Sequence, residues 1–177
     1  MDLFCCESIL LKSHWVMVVM DVFTRRLVGI GVALPPIDGV GVCRMFNHAV
    51  AAQPLPKYLS TDHDTLSRFH RWLANLRVLE IDEIKSVPYV PVSHPFVERL
   101  IGTIRREVLD QTFFWNAFDL TRKLDMFRRY YNEQRVHRSL NGTTPAQRAG
   151  ASAPARAELD HGWRQYCHGL FQIPVAA

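Results

Sequence analysis

The sequence predicts an α/β protein built around a mixed sheet, and three observations carry that expectation. Two apolar, Val-rich runs, "HWVMVVMDVF" and "RLVGIGVAL", meet at a short polar turn and read as an antiparallel hairpin. Later short apolar runs alternate with stretches of helical periodicity, as crossover connections between parallel strands require. The length, 177 residues, allows one domain with a sizeable core and is too short for two of ordinary size.

In chain order, "MDLFCCE" precedes the hairpin as a third strand and completes a meander. Asp38 then caps the helical stretch "GVGVCRMFNHAVAA", where Val42, Met45, Phe46 and Ala49 share a face. "KYLST" is a short strand, and "TLSRFHRWLANL" is a helix with Leu66, Phe69, Leu73 and Leu76 on one side. "RVLEI" supplies the fifth strand, and the Pro-rich "KSVPYVPVSHP" is a loop. Two long helices follow. "FVERLIGTIRREVLDQ" spaces Val97, Leu100, Ile101, Ile104 and Val108 helically, with Pro95 near the first position, where proline is tolerated. "LTRKLDMFRRYYNEQ" repeats the pattern with Leu120, Leu124, Phe127 and Tyr131. Beyond Gly142 the periodicity fades. "RAGASAPARAE" reads as a linker, and the tail to Ala177 reads equally as a stray strand or as disorder.

A hydrophobic fraction of 48% and a charged fraction of 21% are ordinary for a soluble globular chain. No apolar run approaches the roughly 20 residues of a membrane span, and "MDLFCCES" has no basic stretch of the kind that opens a signal peptide. Cys5, Cys6, Cys43 and Cys167 form neither a CxxC pair nor a zinc-ribbon spacing, so they read as reduced thiols of a cytosolic protein. The net charge of +4 is unevenly spread. Residues 1–98 hold 9 Lys/Arg against 10 Asp/Glu, whereas residues 99–148 hold 10 against 5. That local excess suits a polyanionic partner, nucleic acid first, or else marks the solvated faces of two helices.

The chemistry-bearing residues are carboxylates. "LSTDHD" puts Asp62 and Asp64 where a short strand ends, and the carboxyl ends of parallel strands are where an α/β sheet builds its sites. Asp64 directly precedes a helix and reads as its N-cap; Asp62 is left for another task. Glu98 lies in the first turn of the helix after the Pro-rich loop, and Asp2 on the strand expected to neighbour the one ending at Asp62. Three carboxylates from different elements suit hard divalent cations, and two ions roughly 3.5–4 Å apart can clamp both oxygens of a phosphodiester exchange. Residues 63–97 separate Asp62 from Glu98, a gap of 35.

With these residues the chain resembles the catalytic core of retroviral integrases and of the related transposases of bacterial insertion sequences. "VMDVFTRRLVGIGV" is similar to the hairpin after the family's first Asp, and "LSTDHD" stands where the family shows Ser/Thr-Asp-polar-Gly. "HPFVERLIGTIRREVLD" resembles the helix carrying the Glu, and "YYNEQRVHRSLNGTTPAQ" the segment that closes the core. The resemblance covers residues 2–148, leaving 149–177 as linker and C-terminal tail. It implies an RNase H-like fold with a mixed five-stranded sheet flanked by helices, the first strand here truncated before Asp2. It also implies Mg²⁺ or Mn²⁺, two ions, held by Asp2, Asp62 and Glu98. The implied reaction is DNA integration or transposition: nicking to expose a 3′-OH, then attack of that hydroxyl on a target phosphodiester. The partners are DNA and further copies of the chain, with no membrane, in a cytoplasmic setting that becomes nucleoid-associated on DNA.

Each of these residues also has a plainer reading. Glu98 could simply complement the helix dipole, and Asp21, the rival first acid, is expected as a turn residue at the opposite end of the sheet. Arg105, seven residues and two turns beyond Glu98, and its neighbour Arg106 are candidate phosphate contacts or solvated arginines; Arg135, His137 and Arg138 stand the same way. The tryptophans read as core. The rival to a working enzyme is a catalytically silent remnant that binds DNA or a partner subunit; a nuclease of the same fold is a third reading.

Overall fold

The computed structural model describes residues 1–51, 53–61, 69–85, 95–152 and 161–176. Strands β1 (Asp2–Glu7), β2 (Ser13–Met20) and β3 (Leu27–Ala33) form the expected antiparallel meander in the order β1-β2-β3. Asp2 lies opposite Val18 and Trp15 opposite Ala33, with a register irregularity at Val19 and Met20. β2 is the middle strand, and its unbroken apolar run has a direct cause: both faces are covered. Val16 and Val18 enter one core, whereas Met17 and Val19 enter the other.

The second core is closed by helix α1 (Gly39–Val50) and helix α2 (His70–Val78), packed through Val42, Met45, Phe46, Trp72 and Leu76. Asp38 caps α1 as expected, its Oδ1 accepting from Gly41 N at 2.8 Å. Strands β4 (Tyr58–Thr61) and β5 (Asp82–Lys85) pair in parallel on either side of α2 in sequence, and Leu59 and Ile81 join the same core. The first core is closed by α3 (Pro95–Ile104), which opens on Pro95, and by α4 (Ala117–Glu133). Between them the chain widens into a π-helical turn, Arg105–Leu109, marked by Asp110 N donating to Arg105 O at 2.8 Å. α2 starts at His70 rather than at Thr65: Phe69 is extended at its N-cap and makes no side-chain cap bond, and Asp64, the expected cap, lies outside the described residues.

Instead of one five-stranded ladder, the described residues give a three-stranded and a two-stranded sheet. The Met1 amine, donating to Ser60 O at 2.6 Å, ties the start of β1 to β4. After a 3-10 turn (Arg138–Leu140) and the four-residue helix α5 (Pro145–Arg148), the tail forms a hairpin of β6 (His161–Tyr166) and β7 (Phe171–Ala176). It docks on α4, with Phe171 stacked on Tyr130 at 3.9 Å between ring centres. The expectation that the tryptophans are core holds for Trp72, which is fully buried, and fails for Trp115 and Trp163, which are 59% and 61% exposed. Trp163 belongs to that peripheral two-stranded hairpin, where Gly162, Arg164 and Gln165 are also exposed.

Burial of the Met1 amine against Ser60 lowers its pKa from 8.0 to about 6, with Asp2 opposing the shift. The folded chain therefore binds fewer protons than the unfolded chain between those values, so stability rises with pH across pH 6–8 and is lost as pH falls through 6. Urea midpoints should rise from pH 6.5 to 8.5 by an amount worth on the order of 1–2 kcal/mol. Acetylating the amine should abolish the rise; an unchanged slope in the acetylated chain would show that the amine is not held.

Candidate active site

Asp2 and Glu98 are brought to the same side of the meander. Successive strand residues face opposite ways, so Asp2 shares the face of Phe4, and Phe4 belongs to the core that α3 covers. α3 reaches that face through Val97, Leu100 and Ile104, and Glu98 follows Val97 in its first turn with an exposed side chain. Asp2 accepts from Leu3 N through Oδ1 at 2.7 Å. The Met1–Ser60 bond sets the start of β1 beside the end of β4, two residues before Asp62 in the chain. Asp62 itself, with His63, lies outside the described residues.

The end of β4 is braced from the other face. Thr61 Oγ1 donates to Glu83 Oε1 at 2.8 Å, and Trp72 Nε1 donates to the same oxygen at 3.2 Å. One half-buried carboxylate thus joins β4, β5 and α2 just before Asp62. Glu83 stands between Asp82 and Ile84 in the charged strand "DEIK", where the sequence reads it as solvated.

The donor set fits a hard cation: three carboxylates offer oxygen only, with no thiol or imidazole among them. Among the described residues no cluster of three His, Cys, Asp or Glu assembles, and Asp62 is not among them. The four cysteines are unpaired, and burial pushes the Cys6 and Cys167 thiols up to about 11.

The register overturns one expectation. Asp2 pairs with Val18, only three residues before Asp21, so Asp21 lies at the same end of the sheet as Asp2. Its turn role stands: Oδ1 accepts from Phe23 N at 2.9 Å and Oδ2 from Thr24 Oγ1 at 2.5 Å.

The candidate DNA contacts separate into two kinds. The Arg105 side chain turns back onto β1, donating to Cys5 O at 3.1 Å and lying 5.1 Å from the Phe4 ring centre. Cys5 is three residues along β1 from Asp2, about 10 Å away at strand rise, so the two-turn alignment with Glu98 does not bring Arg105 to Asp2. Arg135 is tied to Glu107 through Nη2 at 2.7 Å and Nε at 3.1 Å. His137 packs edge-on against Tyr131, and burial together with the Arg135 charge lowers its pKa to about 4. It is neutral at pH 7 and can offer a phosphate a hydrogen bond only. Arg106 and Arg138 are exposed.

A family profile described as "Integrase core domain" matches residues 80–145. An insertion element IS476 uncharacterized 39.2 kDa protein of Xanthomonas euvesicatoria is 29% identical over 154 residues, 87% of this chain and 43% of that protein. An insertion element IS407 uncharacterized 31.7 kDa protein of Burkholderia multivorans is 30% identical over 146 residues, 77% of this chain and 51% of that one. The chain thus spans about half the length of these relatives or less. Among solved structures, the HTLV-2 integrase catalytic core domain in complex with magnesium, in a trimeric form, superposes with a TM-score of 0.62 at 15% identity, covering 82% of this chain and 90% of that one. At that identity the likeness is one of fold.

Proposed function

The chain carries an integrase-type catalytic core, and from that premise we propose that it performs metal-dependent phosphoryl transfer on DNA in integration or transposition. The observation that supports the reading is the Met1–Ser60 contact at 2.6 Å, which brings the start of β1 to the strand that ends just before Asp62, with Glu98 in the first turn of α3, the helix packed on the Phe4 face. Asp2, Asp62 and Glu98 would hold Mg²⁺ or Mn²⁺, two ions in all. When bound, such ions lower the pKa of a water or 3′-hydroxyl and stabilise charge on the phosphodiester in line with it.

The chain's own residues do the rest. The three carboxylates would hold the ions and so fix the position of the exchange. The Thr61–Glu83–Trp72 bonds hold the β4 end in place, and the exposed Arg106 and Arg138 attract the DNA backbone. No bond between protein and DNA forms in this scheme; the displaced oxygen leaves with a proton from solvent. A second copy of the chain is part of the working assembly in this reading, as the trimeric HTLV-2 core is assembled in its own structure.

Thermal melting tests the site. Adding Mg²⁺ or Mn²⁺ should raise the melting temperature, because the ion relieves repulsion among the carboxylates and binds only the folded chain. At a free ion concentration 100 times Kd the stabilisation is about 2.7 kcal/mol. The rise should vanish in the Asp62→Asn, Glu98→Gln double variant, and nicking of duplex DNA should vanish with it. An equal response in the double variant would place the ion elsewhere. Metal binding and DNA binding without nicking would favour the silent remnant.

A further inference from the structure

We infer that the cleft between the β2–β3 turn and the segment 139–148 is a binding site for the DNA backbone, with Arg25 and Arg148 as its phosphate contacts. This rests on the reading of the chain as a DNA-processing core and gives that core a track for its substrate. The cleft has a volume of about 740 Å³ and is lined by Arg25 and Arg148 together with Phe23, Ser139, Asn141 and Thr143; among the described residues no carboxylate lines it. Much of the polar lining is already engaged. Thr143 Oγ1 donates to Leu140 O at 2.7 Å, and Gln147 completes the capping box of α5 with Thr144. The two guanidiniums are the charged groups of that lining.

Arg25 carries the argument furthest. Its guanidinium lies 3.1 Å from the ring centre of Phe96, two residues before Glu98, so the cleft opens beside the first turn of α3. Its Nη1 is buried and has no hydrogen-bond partner among the described residues. The side chain as a whole is half-buried, and a guanidinium held on an aromatic face offers its other N–H groups to a phosphate oxygen in a fixed geometry. Arg99 adds repulsion to the burial that already lowers the Arg25 pKa, and Asp21, the nearby acid, is occupied by the turn. Arg148 is exposed and sits 4.9 Å over the Phe23 ring, which holds it at the cleft wall. The register places this turn at the Asp2 end of the meander, whereas Arg105 lies toward the other end. The cationic surface that serves Asp2 and Glu98 is therefore this cleft rather than the Arg105 side of α3.

Fluorescence anisotropy with a labelled DNA duplex, measured across a salt series, tests the assignment. The wild-type chain should show a log–log salt slope that falls by about 1 in Arg148→Gln and by about 2 in Arg25→Gln, Arg148→Gln. Affinity in the double variant should fall at least roughly tenfold near 100 mM salt. Arg44→Gln, an exposed arginine of α1, should leave both unchanged. Arg148→Gln alters an exposed side chain, so it keeps the test valid should the double variant melt. If the wild type binds DNA and both variants match it, the cleft is wrong and the DNA-processing reading stands. If the wild type binds no DNA at any salt, both fall.

Discussion

Alanine at Gly29 should leave the chain largely unfolded at 25 °C. Gly29 pairs with Val19 in the meander, and α1 crosses so closely above it that an added Cβ would land on the carbonyl of Ala49. Gly31 repeats the situation one pleat further on, where a Cβ would meet Met45 O at 2.5 Å. Backbone cannot rotate aside as a side chain can, so α1 must lift off the sheet. Lifting it opens the core shared by Met17, Val19, Val42, Met45 and Phe46. Overpacking of side chains costs about 1–3 kcal/mol; a backbone collision exceeds the upper end of that range and consumes much of a total stability of about 5–15 kcal/mol. Circular dichroism and urea melts read the outcome directly. A Gly29→Ala chain with the wild-type midpoint would show that α1 does not pack on β3 as described.

Asn132→Leu should cost about 2–5 kcal/mol, through hydrogen bonds instead of volume. Asn132 sits near the end of α4, 6% exposed, and its side chain grips the backbone of Leu27 at both groups. Its Oδ1 accepts from Leu27 N and its Nδ2 donates to Leu27 O, each at 2.9 Å. Leucine preserves the size and strands a buried donor and a buried acceptor. Asn132→Asp retains the acceptor alone and should fall between. Leu27 opens β3 directly after the turn that carries Arg25, so partial loss of the grip should also weaken DNA binding in the cleft. Equal stability of all three chains would deny the grip any energetic role.

The order of elements was legible because most announce themselves locally, although the strand expected at "RVLEI" falls at Asp82–Lys85, with Arg77 and Val78 closing α2. Strand alternation gave way to helical spacing where the structure changes, Asp38 and Pro95 marked helix starts, and the gap from Asp62 to Glu98 pointed to a site. What stayed hidden depends on distance along the chain. Nothing in "YYNEQ" marks Asn132 as the partner of a strand 105 residues earlier. Arg25 reads as one of two turn arginines until Phe96 is placed beneath it. Arg105 is a surface arginine by sequence and turns out to be attached to Cys5 O. Asp21 was assigned to the wrong end of the sheet because strand lengths, which set register, are the weakest feature of a sequence pattern. The tail hairpin was equally hidden, since its aromatic anchor, Phe171, has meaning only against Tyr130.

The grip of Asn132 on Leu27 also sets an order of events during synthesis. Among the described residues, one face of the meander, with Phe4, Val16, Val18, Leu27 and Ile30, is covered by elements that begin at Pro95. At a translation rate of about 5–20 residues per second, Leu27 waits roughly 5–20 s before Asn132 exists. Throughout that interval the nascent chain carries a half-finished sheet with its apolar side open and its β3 edge unlatched. Helpers that shield hydrophobic surface on the ribosome have their natural target there. A slow codon run between the positions of Gly39 and Asn132 would lengthen the exposure without changing one atom of the finished protein.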